Sequence, residues 1–208
     1  MKKKELEILL EKIEKPKNVK VHLEQYTTPA CIAADILWLA FYNGDIKDKI
    51  VIDLGCGNGI FSIGAAMLNA KKVIGIDIDE DLISIAKKEA EKFGVDIEFL
   101  VMDIEEFCGR GDVVIMNPPF GAQHPNRKAD QKFLKKAIEI SNTIYSLHLK
   151  DSLDFIQKLI EKEGWKIIQK KEYKFPIKSI FPFYKKEVFY CNVVMINALK
   201  YSSNYKSN

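Results

Sequence analysis

The sequence predicts an α/β fold built on a mostly parallel sheet. Short β-branched apolar runs recur and are bounded by Gly, Asp or Pro; they cover residues 50–54, 73–76, 97–101 and 113–116. Such continuous apolar runs are typical of parallel strands that are buried on both faces. Helical patterns at 60–68 and 82–93 alternate with them, which indicates right-handed strand-helix-strand crossovers. With 208 residues, of which 47% are apolar, the chain can bury one substantial core.

The rest of the chain extends this pattern at both ends. Helices are predicted at 129–142 and 153–163, and strands at 144–146, 165–170 and 188–196. No helix separates the last two strands, so we expect an antiparallel pair. Leu6, Leu9, Leu10 and Ile13 follow helical spacing near the amino terminus. We therefore expect one domain over 1–200 with a helical extension over about 1–45, and a polar, disordered tail over 201–208.

Composition narrows the class of protein. No run of about 18 apolar residues offers a membrane span, and acids interrupt the apolar positions of the amino terminus, unlike in a signal peptide. We expect a cytoplasmic protein without membrane attachment. Four scattered cysteines form no C-x-x-C pair, which argues against a metal site or a disulfide framework. The cysteines are predicted to be small, mostly buried hydrophobic residues.

A glycine-rich segment follows the first strand and opens a helix. Its glycines, Gly55, Gly57 and Gly59, occupy alternate positions after Asp53. Glycine allows a tight turn and close approach to a ligand. The spacing differs from the G-x-G-x-x-G of dinucleotide folds, where a helix end faces a pyrophosphate. Asp53 would repel a pyrophosphate but favours an ammonium group, such as that of the methionine part of S-adenosylmethionine.

Two more acids follow the next strands, at the edge where ligands of open α/β sheets bind. Asp77 ends the second strand and is expected to accept hydrogen bonds from ribose hydroxyls. Asp103 follows the third strand and is expected to accept from an adenine amine, with Ile104 packed on the adenine ring. Helix capping is the other role open to Asp103.

The most specific segment, Asn117-Pro118-Pro119-Phe120, follows the fourth strand. An exocyclic aromatic amine is a poor nucleophile because its lone pair is delocalised into the ring. The Asn117 side-chain carbonyl and the Pro118 backbone carbonyl can accept its two hydrogens and aim the lone pair at a methyl donor. Two prolines stiffen the loop and supply no N–H donors. Phe120 is expected to offer an aromatic face to an unstacked base.

Together these segments resemble class I S-adenosylmethionine-dependent methyltransferases, and more narrowly the archaeal and eukaryotic family of the small-subunit ribosomal RNA N6-adenine methyltransferase. The resemblance covers about residues 20–150 and includes 23–29, 77–81, 114–121 and 144–148. It implies a Rossmann-like, seven-stranded sheet with an antiparallel last strand and helices on both faces. It also implies S-adenosyl-L-methionine as cofactor, adenine in ribosomal RNA as substrate, and cofactor contacts from Gln25, Tyr26, Thr28, Ile78 and Asn117.

The resemblance further implies a small zinc-containing activator subunit, as in the eukaryotic members.

Independently, residues 165–186 carry seven lysines and six aromatic residues against one glutamate, an arrangement suited to RNA. Solvated surface lysines are the alternative. Other functions stay open: methylation of a protein glutamine or of DNA adenine, an RNA-binding module with a vestigial cofactor pocket, and a nicotinamide oxidoreductase, which the glycine spacing disfavours.

Overall fold

The computed structural model describes residues 1–16, 20, 25–120, 129–178 and 188–201. Its sheet has seven strands in the order β3-β2-β1-β4-β5-β7-β6. The strands are β1 (Ile50–Leu54), β2 (Lys72–Asp77), β3 (Glu98–Val101), β4 (Val113–Met116), β5 (Thr143–Leu149), β6 (Trp165–Lys178) and β7 (Val188–Lys200). The helices are α1 (Lys3–Leu10), α2 (Ala30–Tyr42), α3 (Ile60–Met67), α4 (Glu80–Phe93), α5 (Ala129–Ile140) and α6 (Leu153–Lys162).

Strand direction follows the predicted pattern. The pairs β1 with β2 and β4, β2 with β3, and β4 with β5 are parallel. Only β7 is reversed, and it pairs antiparallel with both β5 and β6. The predicted α/β fold, with seven strands and an antiparallel last strand, is confirmed.

Helices cover both faces of the sheet because the central strands alternate their apolar side chains between two cores. Val51 faces a core shared with α1, α2, α3 and α4, whereas Ile52 faces a core shared with α5 and α6. α1 and α2 thus contribute Leu6, Leu10 and Leu37 to the same core as the sheet. The division into a 1–200 domain with an extension over about 1–45 stays a prediction.

The last three strands are longer than the sequence patterns predict. The apolar pattern underestimates the length of β5 because polar Ser146 and His148 interrupt it. Both residues are nevertheless about 1% exposed inside the sheet. β6 continues to Lys178 because it pairs with β7 along its whole length. Pro176 is tolerated there because β6 is an edge strand, where a missing N–H removes no necessary ladder bond.

The cysteine prediction is partly wrong. Cys56 is buried and Cys191 is half-buried, but Cys31 and Cys108 are exposed. Cys31 lies on α2 and Cys108 follows the short 3-10 helix Ile104–Glu106, and both side chains reach solvent. In the described part of the chain, no helix is long and apolar enough to cross a membrane. The predicted tail, apart from Tyr201, lies outside the described residues.

Candidate active site

The glycine-rich loop joins β1 to α3 at the carboxyl edge of the sheet. Gly55 and Gly59 adopt φ values of +68° and +81°, in the left-handed region that side chains rarely occupy. A Cβ on Gly55 would stand 2.9 Å from the ring of Phe133 on α5. The loop therefore depends on glycine both for its backbone conformation and for its close approach to α5.

Asp77 holds this loop from the neighbouring strand. Its Oδ2 accepts a hydrogen bond from the Gly57 N–H at 2.8 Å, and its Oδ1 accepts one from the Asp79 N–H at 2.9 Å. Burial raises the pKa of Asp77, although the two backbone donors oppose that shift. Asp77 also lines the cavity described below, so the same carboxylate can fix the loop and meet a ligand.

Asp53 does not line the cavity, and its contact with a ligand ammonium stays a prediction. The side chain is 1% exposed and lies behind the loop. Its Oδ2 accepts from the Ser62 N–H at 2.9 Å and from the Ser62 hydroxyl at 2.6 Å. Ser62 is in the first turn of α3, where free N–H groups and the helix dipole favour a carboxylate. Burial nevertheless raises the pKa of Asp53 to about 7.

A cavity of about 450 Å³ opens in front of the loop, within the size range of small-molecule sites. Eleven predicted site residues line it: Gln25, Tyr26, Thr28, Gly55, Gly57, Asp77, Ile78, Asp103, Ile104, Asn117 and Pro119. Four predicted site residues do not, namely Asp53, Gly59, Pro118 and Phe120. The cavity is also lined by eleven residues that the sequence motifs do not predict: Pro16, Thr27, Cys56, Asn58, Ile60, Phe61, Leu82, Met102, Ala129, Lys132 and Phe133.

The missed residues differ in whether the sequence could reveal them. Asn58 and Cys56 stand between the glycines of the loop, so their position was a usable signal. Lys132 and Phe133 lie on α5, and only the packing of that helix over the loop brings them to the cavity. Nothing in their local sequence distinguishes them from other residues of an amphipathic helix.

Asp103 caps a short helix and lines the cavity, while its contact with an adenine amine stays a prediction. Its Oδ1 caps the short 3-10 helix by accepting from the Glu105 N–H at 2.9 Å, and its carboxylate forms an ion pair with Lys132 at 2.9 Å. Burial alone would raise the pKa of Asp103, but these contacts lower it, so the group is ionised at neutral pH. An ionised carboxylate accepts hydrogen bonds only, which suits an amine donor.

Residues 25–29 cross the cavity and are hydrogen-bonded at both ends. At one end, the Gln25 amide donates to Asp79 Oδ2 at 2.6 Å, and Asp79 also accepts from Lys20 Nζ at 2.8 Å. At the other end, the Asn117 amide nitrogen donates to the Thr28 hydroxyl at 3.0 Å. The segment thus joins the second strand to the loop after the fourth.

Asn117 is left with one unused acceptor. Its Oδ1 is buried and has no hydrogen-bond partner in the described structure, although the side chain lines the cavity. A buried acceptor without a donor carries a free-energy penalty of about 1–3 kcal/mol. A ligand that brings an N–H donor to this oxygen removes the penalty.

Phe120 does not offer the open aromatic face that the sequence analysis predicts. The side chain is 7% exposed. Its ring stacks on Tyr26 with the centroids 6.4 Å apart and meets the ring of Phe175 edge-on at 5.6 Å. Aromatic rings that find such partners are more stable inside the core than in water. Pro119, which lines the cavity, is the apolar surface of this loop that a ligand would meet.

The cavity fits the expected cofactor. The carboxylates of Asp77 and Asp103 supply acceptors for hydroxyl and amine donors, and Ile78 and Ile104 supply apolar walls between them. Gly55 and Gly57 of the glycine loop also line the cavity. A nucleoside with a polar extension has the same distribution of apolar and hydrogen-bonding groups.

Sheet order, the glycine loop and the acids at successive strand ends define a Rossmann-like, S-adenosylmethionine-dependent methyltransferase. The chain belongs to the methyltransferase family, whose profile, described as "Methyltransferase domain", matches residues 45–192. It is therefore an enzyme, and S-adenosyl-L-methionine is its methyl donor.

Relatives within the family are similar over nearly the whole chain. The rRNA N6-adenosine-methyltransferase METTL5 of Danio rerio is 38% identical, covering 90% of this chain and 93% of its own length. An uncharacterized protein of Methanocaldococcus jannaschii is 43% identical over 96% of this chain and 95% of its own. A crystal structure from Pyrococcus horikoshii, of a protein proposed to be an RNA methyltransferase, has a TM-score of 0.89 and 39% identity, covering 97% and 99%.

The raised pKa of Asp53 generates a pH-dependent stability. Because the native carboxyl holds its proton up to about pH 7 while the unfolded one releases it near 3.8, the free energy of unfolding should fall as pH rises through this window. The Asp53→Asn variant should lack this contribution, which amounts to at most about 4 kcal/mol. Denaturant unfolding of both proteins at pH 4, 5.5 and 7 measures the difference. Parallel curves for the two proteins would contradict the assignment.

Proposed function

We propose that this enzyme methylates the N6 amine of an adenosine in RNA, and that ribosomal RNA is the substrate. The observation that carries the proposal is the Oδ1 of Asn117, an acceptor that has no hydrogen-bond partner in the described structure and belongs to a residue of the cavity lining. The METTL5 relative, similar over most of both chains, supports adenosine in rRNA as the source of that donor.

The chemistry needs acceptors and no strong base. A hydrogen bond from the amine to Asn117 Oδ1 favours a pyramidal nitrogen, so its lone pair can attack the methyl carbon. The second acceptor predicted from the sequence, the Pro118 carbonyl, belongs to a residue outside the cavity lining and stays a prediction. When bound, S-adenosyl-L-methionine supplies the methyl carbon on a sulfonium. Methyl transfer to the nitrogen would leave the electron pair of the broken carbon–sulfur bond on sulfur, and the methylated amine would lose its proton to water. Proximity and fixed electrostatic groups supply the rate.

Thr28 is a positioning residue in this mechanism. An asparagine amide can present either its oxygen or its nitrogen to a substrate. By accepting from the Asn117 nitrogen, the Thr28 hydroxyl commits that nitrogen and leaves the oxygen for the substrate. Thr28 is only 5% exposed, so its hydroxyl is held by the surrounding structure.

The cofactor contacts follow from the cavity lining. Asp77 accepts from the ribose hydroxyls, Asp103 accepts from the adenine amine, and Ile78 and Ile104 pack on the ring. Gln25, Tyr26, Gly55 and Gly57 complete the wall around the methionine part. Asp53 and Gly59 act behind the loop, because Asp53 caps α3 and Gly59 begins it.

Neighbouring functions share this chemistry. Methylation of a protein glutamine presents the same conjugated nitrogen to Asn117, and DNA presents the same adenine. Because Phe120 is buried, it does not by itself select a nucleobase. The preference for RNA rests on the named relatives and on the lysines of residues 165–186. A zinc-containing activator subunit and a cytoplasmic location stay predictions.

Methyl transfer from tritiated S-adenosyl-L-methionine tests the proposed substrate directly. We expect label in RNA, and N6-methyladenosine after digestion to nucleosides, when the enzyme is given total RNA, total DNA and total protein separately. Fractionation should place the label in small-subunit rRNA. Label confined to DNA would contradict the proposal and support DNA adenine methylation. Label confined to protein would contradict it and support protein glutamine methylation.

Replacing Asn117 by Ala should lower methyl transfer to RNA by at least about 100-fold, the scale of one lost electrostatic contact to the reacting group. Affinity for the cofactor, measured by calorimetry, should change little because the carboxylates proposed to bind it, Asp77 and Asp103, are unchanged. Asn142→Ala, an exposed asparagine whose side chain is remote from the cavity, is the matched control. Equal turnover in the two variants would remove Asn117 from the mechanism.

Thr28→Val keeps the shape of the side chain and removes the hydroxyl. We expect kcat to fall by about tenfold, as for the loss of one buried hydrogen bond that orients a reacting group. Thr28→Ser, which retains the hydroxyl, should keep most of the activity. If Val and Ser at this position give the same kcat, the hydroxyl has no positioning role.

A further inference from the structure

The hairpin of β6 and β7 extends beyond the rest of the sheet. β5 pairs with β7 only from Val193 to Leu199, whereas β6 pairs with β7 as far as Val188. Lys174–Lys178 and Val188–Asn192 therefore form a two-stranded ribbon about 17 Å long, with which no third strand of the described residues pairs. We call this ribbon the β6–β7 arm.

The arm begins at the catalytic edge. Leu149, the last residue of β5, pairs with Val193, where the arm starts, so the arm leaves the sheet at the carboxyl ends of the parallel strands. The buried ring of Phe175 in the arm contacts the ring of Phe120. The base of the arm thus rests on the same loop that carries Asn117.

One face of the arm is packed and the other is open. Phe175 and Cys191 pair across the ribbon and belong to the core beside Phe120. Lys174 pairs with Asn192, and Pro176 pairs with Tyr190, so these four lie on the opposite face. Lys174 and Asn192 are exposed, and Tyr190 is 69% exposed. An aromatic ring so exposed beside an active site is a ready stacking surface.

The open face of the arm differs from the lysine-rich surface around it because its lysine has no acidic partner in the described part of the chain. Lys150 is paired with Glu172, and Lys171 is paired with Asp35. Among the described residues, Lys174 forms no ion pair and the arm contains no acid. In the sequence that joins the two strands of the arm, residues 179–187, Lys185 and Lys186 stand against Glu187 alone. The uncompensated charge is therefore positive.

We propose that the open face of the β6–β7 arm binds the single-stranded RNA that flanks the target adenosine, with a base stacked on Tyr190 and a phosphate paired with Lys174. This inference rests on the proposed function and names the part of the substrate that the arm holds. A methyltransferase acting on a base must take it out of the stack, and strand contacts beside the site offset the cost of unstacking. Stacking and phosphate contacts together are the usual means of holding a single strand without reading its sequence.

Binding of a labelled oligo(A) ribonucleotide to the full-length enzyme tests the arm separately from the reaction. Tyr190→Ala should raise the Kd about tenfold or more, the scale of one lost base–aromatic stack. Lys174→Ala should lower the slope of log Kd against log salt by about 0.7, as for one phosphate contact to a single strand. In methyl transfer to RNA, both variants should raise KM for RNA and leave KM for the cofactor unchanged.

Matched controls lie at the opposite end of the same hairpin. Tyr201 is 61% exposed and directly follows β7, and Lys200, the last residue of β7, is exposed. Tyr201→Ala and Lys200→Ala should bind oligo(A) within about twofold of wild type. Circular dichroism melting of all four variants separates a binding loss from unfolding, and a loss of RNA affinity in folded arm variants alone supports the proposal.

Two outcomes overturn the arm as an RNA site. One is equal oligo(A) affinity in the arm variants and the controls, and the other is a change of oligomeric state on Tyr190→Ala with RNA affinity intact, which would assign the face to a second copy of the chain. The proposed function fails differently: wild type would then label no RNA, whatever its oligo(A) affinity. The two failures are thus distinguishable.

Discussion

The pairing of β1 with β2 on one side and with β4 on the other sets the position of every functional group. Because the chain order reverses at β1, the loops that follow β1, β2 and β4 leave the same edge in different directions and open a crevice between them. The glycine loop, Asp77 and Asn117 each stand at one of these strand ends. If β1 paired with another strand in place of β2 or β4, these groups would lie apart along the sheet edge and could not contact a common ligand.

Hydrogen bonds across the crevice then hold it in one shape. Asp77 ties the glycine loop to the second strand through the Gly57 N–H, and Thr28 ties the segment that crosses the cavity to Asn117. The buried Asp53 fixes the start of α3 from behind. Each polar group therefore has a structural partner as well as a free acceptor position, which is how a site can be organised before its ligand arrives.

The aromatic contacts join the reaction site to the hairpin. Tyr26, Phe120 and Phe175 come from the amino-terminal segment, the loop after β4 and β6, and their rings pack in series. A strand of RNA on the arm and a base beside Asn117 would thus rest on one continuous packed unit.

The sequence alone determined the α/β fold and the places of the glycine-rich loop and the Asn117-Pro118-Pro119-Phe120 loop after their strands, because apolar periodicity, glycine spacing and proline are local signals that survive without tertiary context. Tertiary structure decided the rest. It put Asp53 behind the loop, since a helix end offers a carboxylate more than an apolar core does. It buried Phe120 between two rings, brought Lys132 and Phe133 to the cavity, and lengthened β6 and β7. These outcomes depend on partners distant in the chain, and no local pattern encodes them.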